Sequence, residues 1–587
     1  MDKKQVSEIL EEMGILLELK GENIFKARAF HNAARIISTL REDLPTLVES
    51  EKIKEIKGIG EGLAKVISEL VIMGKSKEHL ALKASVPAGL LEMIRIQGLG
   101  PKRIKILHEN LKISTITELK KACSLHRVAN LDGFGVKTEE NILKGIELLS
   151  RVADKHLFPK AKEIADKIFS SLSKRKEIIR CEIAGSLRRR KEIIGDIDIV
   201  AAADDDDRTT IMEFFTTRPE VETITARGET KSSVILRGGI PCDLRIVKEA
   251  EYPFALHYFT GSKEHNVELR SLARKFGWSL NEYGFTAIEE KKKKIDARTL
   301  PKCRDEKEIY HALELHYIPP ELRENMGEVD IARESKIPRL IEYADIRGTL
   351  HCHTNVSDGI NSLEEMAQAA KQLGWEYLGI ADHSQSAVYA GGLSPDRVRE
   401  QLEGIDSLNE KQKDFRIFTG TECDILVDGS LDYPDKLLSS FDYVVASIHS
   451  KFTMTEVEAT KRIIQALKNK YVTFLGHPTG RLLLAREGYP VNLIEVINAA
   501  SDYGKGIEIN SHPMRLDLDW RFLRYAKEKH VPIYINPDAH EIIGLQDVRF
   551  GVGIARKGWL EAKDVVNTWN ANVLTKYLQS LKNSKGK

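Results

Sequence analysis

The rhythm of apolar positions changes along this chain. In the first 150 or so residues apolar side chains recur three and four apart, as in VSEILEEMGILLEL (6–19) and FKARAFHNAARIISTL (25–40). That spacing predicts amphipathic helices, the second with a basic stripe of Lys26, Arg28 and Arg35. A short unit then appears three times: IKGIGEGLAKVI (56–67), IQGLGPKRIKIL (96–107) and LDGFGVKTEENIL (131–143), with its first glycines 40 and then 35 residues apart. Each is a pair of glycines separated by one apolar residue and followed by a helical pattern, which makes an internal repeat. From about 153 to 316 strand-like alternation and helical stretches mix. Residues 317–345, punctuated by prolines and highly charged, read as a linker. Beyond them the short apolar runs YLGIAD, YVVASIH, VTFLGH, GIEIN and PIYIN alternate with helical segments, predicting parallel strands with crossover helices and a barrel.

The repeated glycines carry the first candidate chemistry. In each unit a pair (Gly58 and Gly60, Gly98 and Gly100, Gly133 and Gly135) permits a tight turn that leaves N–H groups free at a helix N-terminus. Such a turn holds a backbone phosphate without reading bases. One copy would be an ordinary helix cap; three at regular spacing point to duplex DNA.

The segment AGSLRRRKEIIGDIDIV (184–200) carries the second. IIGDIDIV has the β-branched alternation of a strand, so Asp196 and Asp198 share one face. Two adjacent carboxylates repel unless a divalent cation lies between them. Gly185 and Ser186 offer an N–H and a hydroxyl, and Arg188, Arg189 and Arg190 offer positive forks, all suited to a nucleotide's phosphates delivered to Mg²⁺. Two-metal phosphoryl transfer needs a third ligand. Asp243 in IPCDLRIV, which follows a hairpin turn at Gly238 and Gly239, is the candidate. Taken singly, an acidic strand face and a solvated basic patch are the commoner readings. In this order and company they favour catalysis.

The third lies in the C-terminal part. His351, His353, Asp358, His383, Glu422, His449, His477, Asp538 and His540 nearly all end apolar strands, where barrel active sites gather. His351 and His353, like Asp538 and His540, stand two apart and can share an ion. Imidazole mixed with carboxylate suits Mn²⁺, Zn²⁺ or Fe²⁺ better than Mg²⁺ alone, and metal-activated water would cleave phosphoesters.

At 587 residues the chain is long enough for about four domains. No apolar run approaches a membrane span, and the first residues, MDKKQVSEILEEMG, lack a signal-peptide core. Cysteines 123, 181, 242, 303, 352 and 423 are scattered without a C-x-x-C, which argues against a disulfide framework or zinc knuckle and for a reduced, cytoplasmic protein. Net charge is +1, divided as +6 over residues 1–320 and −5 over 321–587, a modest bias toward a polyanion partner in front and a carboxylate-rich metal site behind. The acidic run Asp204–Asp207 and the basic run Lys291–Lys294 read as solvated loops.

With these residues in place, positions 1–316 resemble a family X DNA polymerase of the polymerase beta type. YFTGSKEHNVELR (258–270) and WSLNEYGF (278–285) resemble that family's nucleotide-pocket segments. The resemblance implies a helical lyase-like domain (1–85), helix-hairpin-helix fingers (86–152), an α+β nucleotidyltransferase palm (153–250) and a thumb (251–316). It implies that Asp196, Asp198 and Asp243 hold Mg²⁺ or Mn²⁺, and that Ser186, Arg189 and Gly195 serve the triphosphate. Tyr258, Phe259 and Gly261 would lie by the sugar, and Asn266 and Arg270 by the minor-groove side. Two departures stand out: Val66, beside Lys65, occupies the position of the family's lyase lysine, and Lys263 replaces an aspartate near the incoming base.

Residues 346–587 resemble the polymerase-and-histidinol-phosphatase (PHP) domain, which implies a distorted (β/α)₇ barrel, a site for up to three ions on the nine residues above, and 3′→5′ exonuclease or 3′-end processing. Arg481 and His512 are further candidate phosphate contacts. The expected whole is a monomeric gap-filling DNA polymerase of base-excision repair, acting with dNTPs on gapped or primer–template DNA. The alternatives are a 3′-end nuclease or phosphatase with a vestigial polymerase, and a non-enzymatic scaffold that binds DNA breaks.

Overall fold

A computed structural model describes residues 1–587 apart from 2, 41–42, 97, 289–299, 413 and 584–587, so the basic run Lys291–Lys294 lies outside the described residues. The chain divides into two compact units, Met1–Ala153 and Asp154–Lys587.

The first unit is helical. Lys3–Lys20 and Ile24–Thr39 pair through the apolar stripes read from their spacing, burying Leu10, Leu17, Phe30 and Ile37. Each glycine repeat starts a helix: Glu61–Met73, Pro101–Leu111 and Val136–Val152. Ile67, Leu70, Ile104, Leu107 and Ile142 from these helices join the same core.

In the second unit a five-stranded sheet runs in the order Arg180–Ile183, Ile197–Ala202, Pro241–Val247, Lys231–Leu236, Val221–Arg227. Its second and third strands are parallel and the other pairings antiparallel. IIGDIDIV is two strands where one was expected. Ile193–Ile194 pairs with His156–Leu157, the chain bends at Gly195 and Asp196, and only Ile197 onward enters the main sheet. Gly238 and Gly239, at φ 93° and 82°, make the hairpin turn that only glycine adopts without strain at both positions. Helices Tyr252–Thr260 and Lys263–Lys275 and the hairpin Trp278–Asn281/Gly284–Ala287 follow.

The C-terminal part is a seven-stranded parallel sheet whose spatial order is its chain order: Gly348–Thr349, Tyr377–Ile380, Arg416–Asp424, Tyr443–Ser447, Phe474–Leu475, Gly506–Asn510 and Ile533–Asn536. A parallel bridge between Cys352 and Ala539 spans the seam from first strand to last, giving a nearly closed barrel. Helices such as Leu363–Gln372, Pro395–Lys411, Leu493–Asp502 and Val548–Lys557 return the chain between strands or cover them.

The segment 317–345, expected as a linker, is packed. Leu322, Arg323, Glu328 and Val329 are each at most 1% exposed. Its buried charges are met by partners: Glu321 accepts from Arg556 of the barrel at 2.7 Å, and Glu324 from Lys557 at 2.6 Å, while Asp330, Arg333, Glu334 and Lys336 stay exposed. Phe158 meets Phe550 edge-on at 6.1 Å, so the sheet and the barrel share one hydrophobic core.

Candidate active sites

In the five-stranded sheet the register sets Asp198 directly opposite Asp243 on the neighbouring parallel strand, and Asp196 sits at the bend two residues earlier. Burial, reinforced by Asp196 and Asp243, pushes the Asp198 carboxyl up to about 7. Lys231 from the adjacent strand sets its Nζ 2.6 Å from Asp243 Oδ2. Gly185, at φ 63°, closes over this face; a Cβ there would lie 2.3 Å from Asp198 Oδ2. Carboxylates crowded until one resists ionisation fit a divalent cation.

Beside them Ser186 Oγ is buried without a hydrogen-bond partner. The three arginines are less free than the sequence suggested. Arg188 forks onto Glu306, Nη2 to Oε2 at 2.6 Å and Nη1 to Oε1 at 3.0 Å, with Nη1 also on Thr260 Oγ1 at 2.7 Å. Arg189 donates to Thr260 O at 2.5 Å and to Glu324 Oε1 at 3.1 Å. Arg190 pairs with Glu321 at 3.5 Å. All three arginines are thus held by carboxylates of later segments.

Gly261 is left-handed at φ 70°, and a Cβ would press on Arg189 Nη1 at 3.0 Å, so glycine there also makes room for the guanidinium. Tyr258 and Phe259 end the preceding helix with rings 5.1 Å apart, Phe259 lying under Arg245 at 4.1 Å. Asn266 donates to Tyr258 O at 2.7 Å while its Oδ1 is buried and unpartnered; Arg270 follows one helical turn later. A Cβ on Gly195 would meet Lys155 Nζ at 2.9 Å, and Lys263 is exposed at the start of its helix.

The barrel gathers the other cluster. Eight of the nine candidates fall into three overlapping groups whose ligand atoms lie within 4.8 Å of one another: His353, Asp358, His383 and His540; His351, His353, Glu422 and Asp538; His383, Glu422 and His449. His477 joins through Glu422, Nε2 to Oε1 at 2.8 Å. The buried ring atoms His351 Nε2, His353 Nδ1 and His383 Nδ1 have no hydrogen-bond partner, and three groups sharing bridging residues fit up to three ions. Among the described residues no other group draws in so tightly; Asp196, Asp198 and Asp243 do not all come within that spacing.

Burial opposes charge on His383, His449 and His540, but Glu422 (for the first two) and Asp358 (for His540) outweigh it. They raise His383 to about 10 and the others to about 9. The metal-free cluster therefore carries protons at pH 7, and metal uptake must expel them. Apparent Mn²⁺ affinity will rise from pH 6 to 8, roughly tenfold per unit for each proton released. Calorimetry in two buffers of different ionisation enthalpy measures that release; a pH-independent affinity would refute it.

Residues that the sequence reading missed hold these ligands. Glu508, fully buried, accepts from His351 Nδ1 at 2.7 Å and His477 N at 2.8 Å; Asp424 accepts from His449 Nδ1 at 2.5 Å. Asp382 accepts from Thr354 N and Oγ1 at 2.8 and 2.7 Å and from Ser357 Oγ at 2.5 Å, fixing the loop of Asp358. Such carboxylates orient the rings and set their tautomer. The signal was present in GIEIN, where two polar side chains spaced i, i+2 interrupt an otherwise apolar strand. Arg481 is a strut: it donates to Arg515 O at 2.8 Å and Asp519 at 2.9 Å and reaches Glu192 of the sheet domain at 3.7 Å. Arg515 borders the cluster, Nε 3.5 Å from Asp538 Oδ2. Met514 N donates to His512 Nδ1 at 3.2 Å, and burial lowers His512.

In the helical unit the first glycine of each repeat is left-handed (Gly58 97°, Gly98 85°, Gly133 78°) and the second caps the helix. Gly60, Gly100 and Gly135 are extended, and a Cβ at any of them would meet nothing within 4 Å. Neither backbone strain nor internal packing calls for glycine there. Val66 is 2% exposed, whereas Lys65 faces solvent.

Family models match in four places: a helix-hairpin-helix domain at 1–76, a SAM-like helix-hairpin-helix tandem at 90–147, the DNA polymerase beta thumb at 255–324 and the PHP domain at 349–512. The chain is 40% identical over 569 residues to the DNA polymerase/3′-5′ exonuclease PolX of Bacillus subtilis, covering 97% of each. Over 248 residues, 40% of this chain and 96% of the relative, it is 29% identical to a probable phosphatase of Thermoanaerobacter sp. strain X514. A probable phosphatase of Caldanaerobacter subterraneus is 33% identical over 207 residues, 32% of this chain and 74% of its own.

Proposed function

Since the chain belongs to the PolX family of DNA polymerase/3′-5′ exonucleases, we infer that it synthesises DNA in its first part and removes 3′-terminal nucleotides in its barrel. The observation that carries the polymerase reading is the pairing of Asp198 with Asp243 across parallel strands, with Asp196 beside them.

In synthesis the primer 3′-hydroxyl attacks the α-phosphorus of a dNTP in line, and pyrophosphate leaves. Divalent cations supply charge neutralisation at the reacting phosphorus in the palm, on Asp196, Asp198 and Asp243, and acidify water in the barrel. Mg²⁺ or Mn²⁺ suits the carboxylates; Mn²⁺, Zn²⁺ or Fe²⁺ suits the nine barrel ligands. The unpartnered Ser186 hydroxyl and the Gly185 turn bind the triphosphate, with Arg189 as the nearest guanidinium. Tyr258, Phe259 and Gly261 form the floor under the sugar, and Asn266 and Arg270 face the minor-groove side of the new pair. Glycine turns in the helical unit grip duplex phosphates without sequence preference, which suits damage arising anywhere.

We place the lyase-like domain at 1–85, fingers at 86–152, palm at 153–250, thumb at 251–316 and the PHP domain at 346–587. Among the described residues no helix is long and apolar enough to cross a membrane. A monomer filling short gaps during base-excision repair in the cytoplasm fits these features. A gapped duplex with a mismatched 3′ end provides the test. The protein should excise the mismatch and then fill the gap, and His351→Ala or His353→Ala should stall before extension. Excision that survives both substitutions would remove the barrel from the reaction.

A further inference from the structure

One short turn at the mouth of the barrel cluster is rigid yet bare. After His383 the chain forms a 3₁₀ turn, Val388–Ala390, tied down on every side. Ser386 N donates to Asp432 Oδ2 at 2.7 Å and its Oγ to Asp424 Oδ2 at 2.6 Å, the same Asp424 that holds His449. Leu393 N returns to His383 O at 2.9 Å, and Gly392 N to Ala387 O at 3.1 Å. A turn fixed to the metal-ligand shell has little freedom to fold its apolar side chains away. Val388 is nevertheless 82% and Tyr389 72% exposed, and the Tyr389 ring lies 6.3 Å from that of the ligand His383. Two arginines share this rim: Arg515, beside Asp538, and Arg486, fixed by Gly480 O at 2.7 Å and stacked on Phe452 at 4.6 Å. Both lie within electrostatic range of the Tyr389 hydroxyl, as do Glu422, Asp424 and Asp358 of the cluster.

We propose that Tyr389, with Val388, is a stacking platform for the terminal base of the DNA 3′ end whose phosphodiester reaches the metal cluster. The proposal rests on the reading of the barrel as a 3′-end hydrolase and names its specificity element. The occupant must present a flat apolar face next to a phosphodiester, because the exposed ring adjoins ligands that act on phosphate and arginines that attract it; an unpaired nucleotide has that shape. A paired base has its faces covered by the duplex stack, so frayed or mismatched ends reach the platform more readily than matched ones. This gives the barrel a means of choosing the ends the palm cannot extend.

The test uses full-length protein with Mn²⁺ and two single-stranded oligonucleotides, one ending in an ordinary 3′ nucleotide and one in an abasic 3′ residue. Tyr389→Ala should lower kcat/KM about tenfold on the first, mainly through KM, and less than about twofold on the second. Tyr389→Phe should recover most of the loss. Equal penalties on both oligonucleotides, or none on either, would overturn the platform. His353→Ala separates this from the parent reading: hydrolysis of both substrates persisting in that variant would remove the barrel site itself, whatever Tyr389 does.

Discussion

Asp198→Ala will lower nucleotide incorporation by about 10³-fold or more while leaving Mn²⁺-dependent removal of 3′ nucleotides within about twofold. The size follows from position. Asp198 faces Asp243 across the register, with Asp196 two residues away, so one substitution opens a cation site that needs all three. Cations at a transferred phosphoryl group stabilise its transition state by several kcal/mol, and each 1.36 kcal/mol is tenfold in rate. The separation follows because none of the nine candidate barrel ligands lies on this sheet. A stability measurement guards against loss by unfolding. Burial raises the Asp198 carboxyl to about 7, so the metal-free folded state holds its proton more tightly than the unfolded chain does. Wild-type stability therefore declines on this account as pH rises from the ordinary carboxylate range through about 7. Alanine cannot ionise, so the melting temperature of Asp198→Ala relative to wild type, in chelator, should be more favourable at pH 8 than at pH 5. Undiminished primer extension by this variant would refute the palm assignment.

The sequence disclosed chemistry better than connections. Asp198 was legible on its strand, whereas Asp196, read as its like-facing strand neighbour, stands outside that strand at the bend. Asp243 was legible because the glycine hairpin and apolar alternation placed it on a second strand. Their exact register was not legible, since nothing local specifies which residue of one parallel strand lies opposite another. The barrel cluster stood out because histidine and carboxylate are costly at the ends of buried apolar strands unless they serve a site. What escaped was long-range pairing. Arg188, Arg189 and Arg190 looked like a phosphate-binding cluster because their carboxylates, Glu306, Glu324 and Glu321, come more than a hundred residues later. For the same reason 317–345 looked like a linker: a charged, proline-punctuated segment has that composition until its partners are known. Arg481 has distant partners of the same kind, Asp519 and Glu192, which local sequence does not reveal.

That packed segment carries the second large effect. Glu324→Ala will destabilise the Asp154–Lys587 unit by about 3–5 kcal/mol at pH 7, because it leaves a buried cation without its carboxylate. Lys557 is fully buried, donates to Glu324 at 2.6 Å and to Arg189 O at 3.0 Å, and lies 4.7 Å above the Trp520 ring. Burial lowers it to about 8 even with Glu324 in place. Arg189 and Lys191 share the same carboxylate at 3.1 and 3.3 Å, so the barrel helix that carries Lys557 and the turn that carries Arg189 meet at one point. The sign with pH is fixed. A lysine held below its ordinary value binds its proton less tightly when folded than unfolded, so stability on its account grows as pH rises from about 8 toward 10.5. Without Glu324 the folded lysine sits lower still, and the variant's deficit should be largest near pH 7 and shrink by pH 9.5. Glu324→Ala combined with Lys557→Met should recover most of the loss, since an apolar side chain of similar length replaces the stranded charge. Chemical denaturation of the wild type, the single variant and the double variant at both pH values measures all of this. A Glu324→Ala protein as stable as wild type at pH 7, or a double variant no better than the single, would mean that this buried network does not join the two catalytic domains.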